Sequence, residues 1–137
     1  MRTASQPPPA GSLVMREGKR KSVEIVMKEA DQDRREREDE GTWDGQYHLS
    51  VFAGPLAADE QPEQAVQRLF DGHLRVKWFR TGPLECFDRE GLRLSASPPE
   101  PYHYDVVIGP ELTPDVVERF EQCFDSEVRR NPAWHAS

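Results

Sequence analysis

The sequence predicts an α+β domain in which helices pack on one face of a largely antiparallel sheet, with a polar arm before it. Three observations lead to this prediction. Apolar and polar side chains alternate in four segments, as in half-buried strands. Apolar residues recur with helical spacing in three other segments. Two predicted strands follow each other across a proline-rich turn, which favours antiparallel pairing. The predicted order is β-α-β-α-β-β-α, without an internal repeat.

The first 45 residues are expected to lie outside the compact domain. Residues 1–21 are rich in proline, glycine, serine and basic side chains, which predicts a flexible, disordered basic leader. A partial apolar alternation over residues 22–27 predicts a short strand, at a sheet edge. Residues 28–40 have helix-forming composition and many opposite charges but no apolar stripe. This composition predicts either a solvated helix or a disordered charge run. Residues 22–45 as a whole are therefore interpreted as a weak strand followed by a charged helix or linker.

The compact domain is predicted to span residues 46–128, followed by a C-terminal tail over 129–137. Tyr47 to Ala53 alternate apolar and polar side chains and predict the first strand of the domain. A loop then leads to Pro62, a favoured first residue of a helix, and the next eight residues place four apolar side chains on one face. A second strand is expected over 74–79.

The second half of the domain predicts a short helix, two strands and a final helix. The short helix begins at Leu84 and ends before Gly91, and the strands cover residues 92–96 and 102–108. Thr113 is a good N-cap for the last helix, because its hydroxyl can accept a hydrogen bond from the first turn. The apolar stripe of that helix is Val116, Val117, Phe120, Cys123 and Phe124.

Composition and charge restrict the classes of function. The chain has 137 residues, a net charge of -7 and a mean hydropathy of -0.81, so we expect one polar domain. A basic leader precedes an acidic body, and the acidic body argues against unselective binding to nucleic acid, except through the leader. No run approaches the length needed to span a bilayer, and prolines 7–9 stand where a signal peptide would be apolar. We therefore expect a cytoplasmic protein without a membrane partner, for which a homo-oligomer is possible.

Neither a cofactor nor a metal site is predicted. Cys86 and Cys123 are too few for a disulfide scaffold and are interpreted as reduced thiols, with Cys123 in the core. His48, His73, His103 and Asp105 lack the local spacing of metal ligands.

Two short motifs suggest a catalytic alternative. His48-Leu49-Ser50 and His103-Tyr104-Asp105 each place two polar side chains on one face of a predicted strand. The pair resembles the two His-x-Ser/Thr motifs of the two-histidine phosphoesterases. The resemblance implies that the histidines act as acid and base and that Ser50 binds phosphate, with Arg75 or Lys77 stabilising charge. Asp105 departs from the motif, because a carboxylate repels phosphate.

One stretch combines basic and aromatic residues, a composition that can bind nucleic acid. It contains Arg75, Lys77, Trp78, Phe79 and Arg80. Strand alternation is expected to place Arg75 and Lys77 on the face opposite Trp78, which weakens that interpretation.

The preferred hypothesis is a non-catalytic protein-interaction or regulatory module, comparable with antitoxins and immunity proteins. Its acidic surface and N-terminal arm would hold an unidentified protein partner. The candidate partner-binding residues are Trp43, Arg75, Lys77 and Trp134. The alternative is a small nucleotide or RNA phosphoester enzyme that uses His48, Ser50, His103 and Asp105.

Overall fold

A computed structural model describes residues 7–70, 76–97, 102–132 and 134. Among these residues, four helices accompany one six-stranded antiparallel sheet, in the strand order β4-β5-β2-β1-β3-β6. The predicted α+β class is confirmed. The elements are β1 (Ser12–Glu17), α1 (Val23–Glu40), β2 (Tyr47–Pro55), α2 (Pro62–Phe70), β3 (Trp78–Pro83), α3 (Leu84–Arg89), β4 (Arg93–Ala96), β5 (His103–Gly109), α4 (Pro114–Gln122) and β6 (Arg129–Arg130).

The first strand of the chain lies in the middle of the sheet. β1 pairs antiparallel with β2 on one side and with β3 on the other. Its residues from Ser12 to Arg16 are buried, and Pro8 before them is buried as well. The prediction of a flexible leader is therefore wrong for residues 12–17. A central strand covered on both faces is apolar on both, so Leu13-Val14-Met15 forms a run instead of an alternation.

The second correction concerns residues 22–40, which form the single helix α1 after its N-cap. Ser22 accepts a hydrogen bond from the Ile25 backbone N–H, and Gly41 ends the helix in the left-handed conformation. The predicted strand over 22–27 is wrong, because the apolar residues there continue a helical stripe. That stripe is Val23, Val26, Met27 and Ala30. The charged part is thus a solvated helix with ion pairs along its surface. No described helix is long and apolar enough to cross a membrane.

Two apolar clusters cover opposite faces of the sheet, because neighbouring residues of a strand point in opposite directions. In β1, Val14 belongs to the first cluster, whereas Leu13 and Met15 belong to the second. Helices α1, α3 and α4 contribute to the first cluster. Helix α2 packs into the second cluster through Ala65, Val66 and Leu69.

The edge of the sheet formed by β3 and β6 differs from the prediction. The strand expected over 74–79 is described from Trp78 onward and continues to Pro83, while residues 71–75 lie outside the described part. Residues 129–130 were expected in a tail, but they form β6 and pair with Trp78 and Phe79. At Gly82 an added Cβ would lie 1.9 Å from the Cys123 backbone oxygen. Glycine at this position therefore allows α4 to end directly against β3.

A salt bridge before α2 gives the first testable expectation. Glu60 accepts hydrogen bonds from Arg68 Nε and Nη2 and from the Ala57 backbone N–H. The Arg68 bonds are the main reason why the pKa of Glu60 falls from 4.5 to about 2. Because this pKa is lowered by folding, the stabilisation is complete above pH 4.5 and is lost as the pH falls toward 2.

Nuclear magnetic resonance titration of the Glu60 side-chain carbon should therefore show a midpoint near 2. Thermal unfolding of a Glu60→Gln variant should lose less stability than wild type between pH 4.5 and 2. A Glu60 midpoint near 4.5 would show that this salt bridge does not form in solution.

Candidate functional site

The four residues of the phosphoesterase hypothesis lie on one face of two neighbouring strands. Ser50 of β2 is directly opposite Asp105 of β5. His48 and His103, however, are four residue pairs apart along the same ladder, a separation of roughly 13 Å at about 3.3 Å per residue. A single phosphate cannot contact both rings at that separation. The histidines therefore do not form the shared acid-base site that the hypothesis requires.

Three of these four side chains have a local partner instead, namely His48, His103 and Asp105. The His48 ring is 6% exposed, and its Nε2 lies 3.1 Å from Asp44 Oδ1. The His103 ring packs edge-to-face against Phe52, with 5.2 Å between ring centroids. Asp105 Oδ2 accepts a hydrogen bond from Arg37 Nη2 of α1 at 3.0 Å. The Asp105 carboxylate thus anchors the C-terminal half of α1 to the sheet.

The described residues contain no group of three or more His, Cys, Asp and Glu side chains placed to hold a metal ion. His73, which the sequence analysis considered together with His48, His103 and Asp105, lies outside the described residues.

A polar cleft of about 340 Å³ opens where β1 separates from β2, and α1 passes beside it. Arg16 lies in its wall and donates from Nη1 to the Ser50 backbone oxygen at 2.9 Å. Glu29 accepts from Arg16 at 2.5 Å and from Lys21 at 2.6 Å, so one carboxylate pairs with both cations. Burial is the largest influence on Arg16 and lowers its pKa, while Glu29 acts in the opposite direction. The charges of the cleft are therefore already paired within the protein.

A second charged pair lies deeper, between the sheet and α4. Arg80 is fully buried and donates from Nη1 to Glu121 Oε2 at 2.5 Å. The other Glu121 oxygen lies 3.8 Å from Arg16 Nε, and Arg16 is the neighbour of Arg80 in the β1–β3 ladder. The Arg80 guanidinium also lies over the Phe124 ring, 5.3 Å from its centroid. This buried cluster joins β1, β3 and α4, so we interpret it as stabilising the fold.

Three exposed cations lie near the start of β3, around Trp78. Lys19 Nζ lies 5.2 Å and Lys77 Nζ 5.3 Å from the centroid of the half-buried Trp78 ring. Arg130 of β6 is the direct cross-strand neighbour of Trp78. We call Lys19, Lys77, Trp78 and Arg130 the basic-aromatic surface. In the described part of the chain, no carboxylate forms an ion pair with the three cations of the basic-aromatic surface. The neighbouring Arg129, in contrast, pairs with Glu63 and Glu127.

This geometry corrects the expectation that Lys77 and Trp78 are separated. Lys77 precedes the first residue of β3, so strand alternation does not apply to it, and its long side chain reaches the indole. Phe79 and Arg80 are buried and belong to the interior. Arg75 lies outside the described residues.

The two predicted tryptophan anchors lie on different parts of the sheet. Trp43 packs against Tyr47 at the start of β2, with ring centroids 5.3 Å apart. The Trp134 backbone N–H donates to the Asn131 carbonyl, and the Asn131 backbone N–H donates to the Lys77 carbonyl. The structure thus connects the segments of Lys77 and Trp134, whereas Trp43 lies just before β2, which is separated from β3 by β1.

Sequence reasoning missed Lys19 and Arg130 because both were assigned to flexible ends of the chain. The usable signal for Lys19 was the apolar run Leu13-Val14-Met15 just before it, which marks a buried strand.

Comparison with protein-family models, with curated proteins and with solved structures finds no match for this chain. The basis for assigning a function is therefore the geometry of the basic-aromatic surface.

Proposed function

We propose that the protein is a non-catalytic interaction module that binds an acidic segment of a partner protein through the basic-aromatic surface. The single observation that carries this proposal is the arrangement around Trp78. Three exposed cations surround one half-buried indole ring, and two of them contact its face. An indole with adjacent cations offers both apolar contact area and charge to a ligand.

Charge complementarity indicates the chemistry of the partner. The whole chain carries a net charge of -7, whereas Lys19, Lys77 and Arg130 place three positive charges around one ring. A carboxylate-bearing segment could pair with Lys19, Lys77 and Arg130 while an apolar side chain covers Trp78. Complementary charges of this kind mainly increase the rate and specificity of association.

The extent of the surface favours a protein partner over nucleic acid. Nucleic-acid affinity depends on many cations along the phosphate backbone, and each neutralised phosphate contributes separately. Here the cations surround one ring. Arg129 and Arg68, which lie in neighbouring elements, are already paired with Glu63 and Glu60. A short acidic peptide fits a surface of this size.

Binding can be measured with two labelled probes at low ionic strength. A fluorescein-labelled polyglutamate peptide should bind the wild-type chain more tightly than a deoxythymidine oligonucleotide of equal charge. The double variant Lys77→Glu/Arg130→Glu should weaken peptide binding at least about ten-fold, because it replaces two attractive charges with repulsive ones. Lys28→Glu is the control for one such charge reversal at another site, since Lys28 is exposed on α1 and belongs to a different surface.

The outcomes separate the possibilities. Peptide binding that is lost in the double variant and kept in Lys28→Glu supports the proposal. Tighter binding of the oligonucleotide, lost in the same double variant, would identify a nucleic-acid interface and make the proposal wrong. Absence of binding to both probes would also contradict it. Circular dichroism of each variant must match wild type, so that a loss of binding is not a loss of folding.

A further inference from the structure

The two cysteines of the chain meet in the structure although 36 residues separate them in the sequence. Cys86 lies on α3, and Cys123 is the C-cap residue of α4. Their Sγ atoms are 2.7 Å apart. A disulfide bond is about 2.0 Å long, so bonding requires a movement of less than about 1 Å. Both residues are free thiols in this structure.

The two thiols differ in their access to solvent. Cys86 is half-buried, whereas Cys123 is 3% exposed. Burial raises the pKa of the Cys123 thiol to about 12, and the adjacent Cys86 adds to this effect. A reagent in solution therefore meets Cys86 first, and Cys123 is held next to it as a second thiol.

We propose that Cys86 and Cys123 are a redox modification site, at which exchange with a low-molecular-weight disulfide such as oxidised glutathione forms an intramolecular disulfide. The Cys86 thiol loses its proton, and its sulfur attacks one sulfur of oxidised glutathione. The first glutathione leaves as a thiolate, and a mixed disulfide remains on Cys86.

The second exchange completes the reaction. In the mixed disulfide, Cys86 no longer carries the thiol or charge that contributes to raising the Cys123 pKa. Cys123 then loses its proton and its sulfur attacks Cys86 Sγ, which forms the Cys86–Cys123 bond and expels the second glutathione. The two leaving thiolates take up the two protons. In total, two cysteine thiols are oxidised and one glutathione disulfide is reduced to two molecules of glutathione.

The fold favours this bond because it has already brought the two helices together. The Phe87 ring of α3 packs against the ring of Phe124, just after α4, with centroids 5.2 Å apart, and each of these residues follows one of the cysteines. The bond would fasten α3 to the C-terminal end of α4 and close a loop that contains β4 and β5. In an unfolded chain the same loop must be closed against chain entropy.

The test is a glutathione titration of the full chain, in native buffer and in denaturing urea. Free thiols are counted with a chromogenic disulfide reagent, and the cross-linked peptide is identified by mass spectrometry without reduction. In native buffer both thiols should disappear and a Cys86–Cys123 peptide should appear. The equilibrium constant for oxidation should be about 10²-fold or more greater than in urea, as expected when folding prearranges the loop.

Single variants test the assigned order of reaction. Cys123→Ala should stop at a stable mixed disulfide on Cys86, and Cys86→Ser should resist glutathione while folded, because Cys123 is buried. Equal oxidation constants in buffer and urea, a persistent mixed disulfide in wild type or a disulfide between two chains would each overturn the proposal. An oxidised wild-type chain that unfolds at a higher temperature than the reduced chain supports it.

Discussion

Deletion of residues 1–17 is expected to unfold the domain. β1 separates β2 from β3, so its removal leaves an edge of each strand without a partner and divides the sheet. Both apolar clusters also lose members, because Val14 packs on one face and Leu13 and Met15 on the other. Far-UV circular dichroism and urea titration of the truncated chain should show no cooperative unfolding transition.

A pair of point variants distinguishes loss of β1 from general effects of truncation. Val14→Asp places a carboxylate in a fully buried position within an apolar cluster, and it should cost several kcal/mol or unfold the chain. Leu56→Asp is the matched control, because Leu56 is 40% exposed in the loop after β2. A folded, cooperative Val14→Asp variant would contradict the central position of β1.

Arg80→Met is expected to destabilise the domain by about 3–5 kcal/mol. The Glu121 carboxylate would remain buried at 3% exposure and lose its hydrogen-bonded partner at 2.5 Å. Arg16 would then be the nearest cation, at 3.8 Å from the carboxylate. An uncompensated buried charge costs more than the net contribution of the pair, because desolvation is no longer offset.

The double variant Arg80→Met/Glu121→Leu tests that physical reason. Both charges are then absent, so urea titration should show a smaller loss than the two single variants predict when added. Arg35→Met provides the surface control: Arg35 is 65% exposed and pairs with Asp31, and its replacement should cost less than about 1 kcal/mol. Strictly additive losses would mean that Arg80 and Glu121 do not interact.

The sequence predicted those elements that are half-buried and amphipathic. α4 was recognisable from Thr113 and its apolar stripe, and the strand that became β5 was recognisable from its alternation. β1 was missed because a strand covered on both faces shows no alternation. α1 was divided in two because its apolar stripe is short and its remaining surface is charged, although Ser22 and Ala30 mark one continuous helix.

The candidate surface was only partly predictable, because it depends on which strands are neighbours. Lys77 and Trp134 were identified as partner-binding candidates, and that assignment stays a prediction. The contact of Lys19 with Trp78 requires β1 to lie beside β3, a pairing that local patterns do not contain. The buried Arg80–Glu121 pair was partly recognisable from the sequence. Glu121 lies four residues after Val117, on the same inward face of α4, which indicates a buried carboxylate.

The central place of β1 also has a consequence during synthesis. The ribosome makes Leu13, Val14 and Met15 first, but their strand partners in β2 and β3 come much later in the chain. At about 5 to 20 residues per second, the nascent chain carries this apolar segment for seconds before β2 is complete. Throughout that interval the apolar segment has no strand with which to pair. Prolines 7–9 precede this segment and the charged stretch from Arg16 to Lys21 follows it, and both proline and charge oppose aggregation of an exposed apolar segment.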